Sequence, residues 1–366
     1  MANIYIPRNP DDLTPECLTH ILRDAGVIEH GRVTGVSAGG STDSEGLTGL
    51  TTRIRLEYDT RAPRAPVSLI AKCSSAIREM RERPNTQAAY QREVRFYKEI
   101  ADTVPLRTPR CYHADIDTES GDHIILLEDL YPARGGNRTK GCSREQAELA
   151  IHRIAGFHAA WWESGKLDTV DWLGGVARQP TDCELRVKHA EWWPVFLRKT
   201  KGVLPESSRE VGSVLGEYRG RILSHANGHP RSLVHSDYNL DNMLFGDADS
   251  GIPFAVVDWQ FVRRGHPIFD VGLFLCQNLE QDLRRKIEHD LLSIYVDTLG
   301  EHSVSYPVSE LETDYCYCIL QRYGALISTI AAMPFTPEQI QMHIDVLPPR
   351  CLSALDDNNA ERVIQE

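Results

Sequence analysis

The sequence predicts an α+β fold of two lobes, a small antiparallel-sheet lobe over residues 1–130 and a larger, mostly helical lobe over residues 131–366. Three observations lead there. Short strand-like runs dominate the first part of the chain, with one long helical stripe among them. A capping box, Ser143-Arg-Glu-Gln146, then opens a region in which apolar residues recur at helical spacing. The length of 366 residues, with 41% hydrophobic and 25% charged content, suffices for two packed cores and does not suggest disorder or a fibre.

Thr14 followed by Pro15 is a helix start and Gly26 a helix stop, with Leu18, Ile21, Leu22 and Ala25 on one side between them. A Gly- and Ser-rich passage over 37–46 leads into Arg53-Ile-Arg-Leu-Glu-Tyr58, whose strict alternation is that of a half-buried strand. Pro63 and Pro66 interrupt it, and 67–73 resumes a strand with Lys72 near its end among apolar neighbours. Over 86–101 the residues Tyr90, Val94, Tyr97 and Ile100 mark a helix, with Glu93 beside their stripe. Strands are expected over 110–115 and 123–127, the second running into Glu128-Asp129-Leu130-Tyr131-Pro132, which reads as a hinge between the lobes. The helix begun at Ser143 carries Ala147, Ala150, Ile151, Ile154, Phe157 and Trp161 on one stripe. Five of the six tryptophans, Trp161, Trp162, Trp172, Trp192 and Trp193, fall in this region, where packing between helices is the favoured role. Helical stretches are expected near 283–299, 311–333 and 337–346, and a polar, peripheral end over 356–366.

The residues with chemical consequence gather around 233–260. Asp237, Asn242 and Asp258 stand at the ends of short apolar runs, where a β-hairpin would bring them together. His235-x-Asp237 followed by Asn242 puts an acid and an amide five apart, the spacing of a kinase catalytic loop. In that chemistry the acid accepts the proton of an attacking hydroxyl, while the amide and a second acid, here Asp258, hold Mg²⁺ against nucleotide phosphates. An isolated Asp-x4-Asn is more often a polar turn bonded to its own backbone. Other residues point away from that reading. Lys72 on a strand, followed by Glu93 on a helix, suits a lysine that reaches the α and β phosphates and is held by a glutamate. Gly39, Gly40 and Ser41 lie where a phosphate-covering loop would precede the strands, although they do not complete Gly-x-Gly-x-x-Gly. Glu128 and Leu130, in the hinge, would offer backbone groups to an adenine edge. Only 11 residues separate Asp258 from Asp270, too few for a peptide-docking activation segment, so a small hydroxylated acceptor is expected. A competing reading comes from Gly35-Val-Ser37-Ala-Gly39, which fits the Gly-x-Ser-x-Gly nucleophile elbow of α/β-hydrolases but lacks helical periodicity after it.

Charge and cysteine usage narrow the partners. Forty Lys and Arg against 52 Asp and Glu give a net charge of −12, which disfavours nucleic acid and anionic membrane and favours cationic substrates. Nine cysteines without a Cys-x-x-Cys pair suit a reducing compartment and core thiols. No run approaches membrane-spanning length, and a soluble, cytoplasmic protein is expected. The sequence leaves the oligomeric state open.

Lys72, Glu93, Leu126-Leu-Glu-Asp-Leu130, His235-x-Asp237-x4-Asn242, Asp258-Trp-Gln260 and Asp270 occur in an order that resembles the aminoglycoside phosphotransferase and choline kinase superfamily. The Asp-Trp-Gln variant is most similar to its ecdysteroid kinase-like branch. The resemblance spans roughly residues 35–276. It implies a protein-kinase-like fold with a nucleotide-covering first lobe and a second lobe that holds the catalytic loop and substrate pocket. It also implies ATP and Mg²⁺ as cofactors, Asp237 as catalytic base, and Asn242 and Asp258 as metal ligands. Lys72 and Glu93 would form the phosphate-positioning pair, Asp270 would brace the catalytic loop and His235 would shape it. The activity so implied is transfer of the γ-phosphate of ATP to a hydroxyl of a small organic molecule. The alternatives are a choline- or aminoglycoside-type kinase of cationic alcohols and a nucleotide-binding scaffold without catalysis.

Overall fold

Alternating burial along strands shapes the first part of the molecule and sets which face carries Lys72. The computed structural model describes residues 6–7, 9–39, 44–45, 49–174, 181–247, 251–333 and 336–365. The chain divides into two compact units, Met1–Ala133 with Gly246–Val262, and Arg134–Phe245 with Arg263–Glu366. The break expected after residue 130 thus falls after 133, and 246–262, assigned from sequence to the helical lobe, belong with the sheet. Packing is the reason. Trp259 is fully buried and stacks on Phe96 at 4.1 Å between centroids and 8° between planes, and the Val256 N–H donates to the Arg107 carbonyl (3.0 Å).

In the first unit, α1 (Pro15–Asp24) is followed by β1 (Val33–Ala38), β2 (Ser44–Glu45), β3 (Gly49–Tyr58) and β4 (Ser68–Ser74). Then come α2 (Arg78–Arg81), α3 (Pro84–Glu99), β5 (Cys111–Ile116) and β6 (His123–Glu128). Thr14 caps α1 by accepting the Cys17 N–H (3.2 Å), and Gly26 leaves the helix at φ +66°, a conformation that costs glycine nothing. The sheet order is β1-β3-β4-β6-β5, with every pair antiparallel and β2 beside β3. Leu18, Ile21 and Leu22 of α1 pack with Ile54 and Leu56 of β3 and Leu69, Ala71 and Cys73 of β4. Because successive side chains on a strand point to opposite faces, this core leaves Ile70 and Lys72 on the other side of β4. The same ladder overturns the hydrolase elbow. Ser37 sits inside β1, paired with Arg55, not on a strand-to-helix turn.

The second unit opens with β7 (Arg134–Gly135), α4 (Arg144–Trp161), α5 (Lys166–Thr169), α6 (Asp182–Lys199), α7 (Glu206–Ala226), β8 (Ser232–Val234) and β9 (Met243–Phe245). The chain then contributes β10 (Phe254–Val256) to the first unit. It returns through β11 (Arg263–Gly265) to α8 (Ile268–Asn278), α9 (Gln281–Glu301), α10 (Val308–Ala332), α11 (Pro337–Asp357) and α12 (Arg362–Gln365). Two short antiparallel ladders, Val234 with Arg263 and Leu244 with Gly135, flank the loop 235–242. The expected capping box forms, with Gln146 N–H to Ser143 Oγ and Ser143 N–H to Gln146 Oε1. Every residue of α8 is buried, and α10 approaches it at Gly272, where a β-carbon would collide with Cys318 Sγ.

Helix packing, the role expected of the clustered tryptophans, is seen at Trp193 of α6, which lies against Gly212 of α7, although only Trp161 of the five is buried and the fully buried tryptophan is Trp259. One expectation about packing needs correction. The C-terminal end is not peripheral. Ala360, Val363 and Ile364 are buried, and the Tyr317 hydroxyl donates to the Val363 carbonyl (3.2 Å). All nine cysteines are free, with Cys73, Cys276, Cys316, Cys318 and Cys351 buried. Among the described residues, no helix is long and apolar enough to cross a membrane.

Candidate active site

Each unit carries its own part of the predicted constellation. In the first, the face of β4 opposite the α1 core presents Lys72, whose Nζ lies 2.6 Å from Glu93 Oε1 and 2.9 Å from Asp258 Oδ1. Glu93 is not beside the apolar stripe of α3 but within it, buried with Tyr90, Val94 and Tyr97. Burial drives the pKa of Lys72 down, but the charges of Asp258 and Glu93 outweigh it and raise the value, so the ammonium persists. Glu93 moves up because burial is only partly offset by Lys72.

Asp258 stands at φ +66°, an uncommon conformation for a residue with a side chain, and its neighbours hold it there. Trp259 anchors the segment against Phe96, and its Nε1–H donates to the Val256 carbonyl (3.2 Å). Gln260 Nε2 donates to Asp258 Oδ2 (3.1 Å), and Arg92 Nη1 donates to the Gln260 carbonyl (2.8 Å). The tryptophan and glutamine of Asp-Trp-Gln therefore have separate positioning tasks. Arg92 and Phe96 share α3 with Glu93, so one helix mounts both the glutamate and the Asp258 segment.

The hinge is braced in part from within the first unit. Glu128 is paired through its side chain with Arg107 Nη2 (2.7 Å), and its N–H donates to the Arg110 carbonyl. The Leu130 carbonyl accepts the Ala133 N–H. Those two backbone groups are thus engaged within the unit. Asp129, which sequence reasoning did not single out, accepts from Arg53 Nη2 (2.9 Å) and Ser68 Oγ (2.6 Å) and fixes the segment to β3 and β4. Gly39 follows β1 at φ +142°, with open space where a β-carbon would be. Gly40 and Ser41 lie outside the described residues.

In the second unit, the loop 235–242 gathers Asp237 and Asn242. Asn242 Nδ2 donates to Asp237 Oδ2 and to the Asp237 carbonyl, both at 2.9 Å, and Asn239 Nδ2 donates to Asp237 Oδ1 (2.9 Å). Both carboxylate oxygens are therefore oriented by amides, and Asn242 keeps its amide oxygen for another partner. Asp270, on the first turn of α8 and 1% exposed, accepts the His235 N–H through Oδ2 and the Ser236 N–H through Oδ1, both at 2.7 Å. Ser236 is held at φ +67° by that clasp. His235 is itself fully buried, and its Nδ1 accepts the Asp237 N–H (3.3 Å). Farther along α8, Asn278 Oδ1 accepts the Leu240 N–H (2.8 Å), and the Tyr238 hydroxyl donates to the Ala150 carbonyl on α4 (2.7 Å).

His158 was not found from sequence. It lies on the buried face of α4, with Nε2 3.3 Å from Asp270 Oδ2 and Nδ1 3.0 Å from the Tyr295 hydroxyl. Its spacing from Ile154 and Ile151 puts a histidine on an apolar stripe, a signal that could have exposed it. Burial pushes its pKa down, which suits a neutral ring that donates from Nε2 and accepts from Tyr295 at Nδ1. Burial pushes the Asp270 pKa up, but the hydrogen bonds from His158 and the His235 N–H prevail and hold the carboxyl below its ordinary 3.8.

Asp270→Asn replaces one of these acceptor oxygens by a donor that faces an N–H. We expect a stability loss of about 1–3 kcal/mol, read by chemical denaturation. The loss is complete above pH 3.8, where an unfolded aspartate ionises, and shrinks below it as the wild-type carboxylate is itself protonated. An unchanged denaturation midpoint at neutral pH would show that Asp270 does not brace the loop.

A small antiparallel sheet with a glutamate-bearing helix, and a helical unit with an Asp-Asn loop braced from below, together define a kinase-like phosphotransferase architecture. The phosphotransferase enzyme family matches residues 77–303, and the chain belongs to that family. Solved structures of similar fold include the GDP complex of wild-type aminoglycoside 2′-phosphotransferase-IIIa, with 12% identity, coverage of 93% of this chain and 100% of that one, and TM-score 0.53. Another is choline kinase from Cryptosporidium parvum, with 10% identity, coverage of 95% and 98%, and TM-score 0.54. An uncharacterized kinase-like protein of Caenorhabditis elegans is 32% identical over 90 residues, and the match spans only 24% of each chain.

Proposed function

We propose that this chain transfers the γ-phosphoryl group of ATP to a hydroxyl of a small organic molecule. The observation that carries the reading is the Asp237 carboxylate, held on both oxygens by the amides of Asn239 and Asn242. Asp237 accepts the proton of the acceptor hydroxyl as its oxygen bonds to the γ-phosphorus and the bond to the β-phosphate oxygen breaks. Lys72, kept charged between Glu93 and Asp258, positions the phosphates. The amide oxygen of Asn242 and the carboxylate of Asp258 are hard oxygen donors of the kind Mg²⁺ takes, so these two would hold it. Bound there, Mg²⁺ would neutralise charge on the β and γ phosphates. Asp-Trp-Gln is the ground for placing the chain in the ecdysteroid kinase-like branch. The net charge of −12 favours a second reading, a cationic acceptor.

The test is mass-resolved phosphate transfer from ATP to a library of neutral and cationic alcohols. A phosphorylated alcohol bears out the reading and identifies the acceptor class, whereas nucleotide binding without transfer to any member would favour the scaffold. A further expectation concerns Lys72→Met. Misplaced phosphates should lower kcat/KM for ATP by about 10²-fold. Removing one partner of a buried ion pair commonly costs about 3–5 kcal/mol. Here the loss should be smaller, because Glu93 is already raised by burial and can take up a proton. Kinetics with a thermal transition checks both parts, and an unchanged kcat/KM would remove Lys72 from the nucleotide's path.

A further inference from the structure

Three side chains from separate segments of the helical unit converge away from the catalytic loop and have no part in the reaction described above. His225 comes from the last turn of α7, His266 from the link between β11 and α8, and Asp314 from α10. Their donor atoms lie within 4.8 Å of one another. His225 Nε2 is 2.7 Å from Asp314 Oδ1, and His266 Nε2 is 3.1 Å from Asp314 Oδ2.

His266 decides how the cluster is read. It is 1% exposed, and both of its ring nitrogens are buried without a hydrogen-bond partner. Its Nε2 is close to the carboxylate, but the approach does not meet hydrogen-bond geometry. A buried imidazole with neither nitrogen hydrogen-bonded, its donor atom within 4.8 Å of those of a carboxylate and a second imidazole, is placed as a ligand would be. The supporting shell matches. The Tyr306 hydroxyl bonds Asp314 Oδ2, His225 stacks on Tyr317 at 4.0 Å between centroids, and Arg221 Nε donates to the Tyr317 hydroxyl (2.8 Å).

We propose that His225, His266 and Asp314 form a binding site for a divalent transition-metal ion, of which Zn²⁺ is the best fit. Two imidazoles and one carboxylate are a nitrogen-rich, borderline donor set that suits Zn²⁺ or Co²⁺ better than Mg²⁺ or Ca²⁺. Bonds of roughly 2.0–2.2 Å would draw the three groups together. Of the three, His225 is the most accessible to solvent, its side chain being 26% exposed, and a water could complete the coordination from its side. The ion acts as a clamp that joins α7, α10 and the start of α8, and His266 stands four residues before Asp270. This site is independent of the nucleotide chemistry and goes beyond the proposed function.

The test uses the full chain freed of metal by chelation. Zn²⁺ is titrated calorimetrically in excess Mg²⁺, and Co²⁺ is followed by its visible d–d absorption. One ion per chain, with a raised thermal transition, is the expected result. His225→Ala, at the exposed edge of the cluster, should weaken Zn²⁺ binding by roughly 100-fold or more and lose the Co²⁺ spectrum. Asp314→Asn, of equal size, should do the same if the first variant folds poorly, whereas Cys183→Ser, at an exposed thiol, should bind like wild type. Absence of stoichiometric Zn²⁺ binding to the wild type would overturn the site and leave a hydrogen-bonded polar cluster. Undiminished binding by both ligand variants would overturn it equally.

Discussion

Asp258→Ala is expected to abolish phosphate transfer while leaving the protein folded. The carboxylate is the acid assigned to the metal, and the amide of Gln260 beside it carries no charge to take its place. Charge neutralisation by the metal is a principal part of phosphoryl-transfer catalysis. The fold should tolerate the change because Trp259 stays stacked on Phe96 and Arg92 still holds the Gln260 carbonyl. Lys72 also keeps Glu93 at 2.6 Å, so no buried charge is stranded. The measurement is transfer activity against divalent-cation concentration, together with a thermal transition. Wild-type turnover in a folded variant would remove Asp258 from the metal site.

Asp237→Asn should lower kcat by about 10²- to 10⁴-fold, the contribution of a general base. The substitution preserves shape but places an amide hydrogen where a proton should be accepted. One of the two flanking amides, from Asn239 or Asn242, then loses its acceptor. Asn242 should stay in place because its Nδ2 also donates to the Asp237 carbonyl (2.9 Å). Nucleotide affinity should therefore remain near wild type. Calorimetry with ATP and steady-state kinetics separate the two halves. Retained turnover would mean that the proton leaves by another route, and lost ATP binding would recast Asp237 as a metal or structural residue.

The sequence revealed those parts of the fold that depend on local pattern. Period-two burial in β3 and β4, the Thr14 cap and the Ser143 box all depend on residues a few positions apart, and they formed where expected. Spacing also indicated which polar side chains meet, since Asn242, five residues after Asp237, donates to its carboxylate (2.9 Å). What could not be read depends on partners far along the chain. His158 meets Asp270 across 112 positions, and Arg53 meets Asp129 across 76. Glu93 looked peripheral to its stripe because a charged residue usually avoids the core, and its burial is made tolerable by the distant Lys72 and by a hydrogen bond from the Trp259 backbone. The allegiance of 246–262 was hidden for the same reason, since Trp259 reveals nothing of Phe96 until the two are stacked.

That allegiance has a consequence for biosynthesis. A ribosome delivers residues in order, and the sheet unit lacks Asp258, Trp259 and β10 until all of 134–245 has been made. Until then the face of Phe96 that Trp259 covers is bare, and Lys72 has one carboxylate instead of two. The unit that begins the chain is therefore not the first to be finished. Nascent chains stalled before residue 246 should expose apolar surface to chaperones, and those long enough for residue 262 to have left the ribosome should bury it.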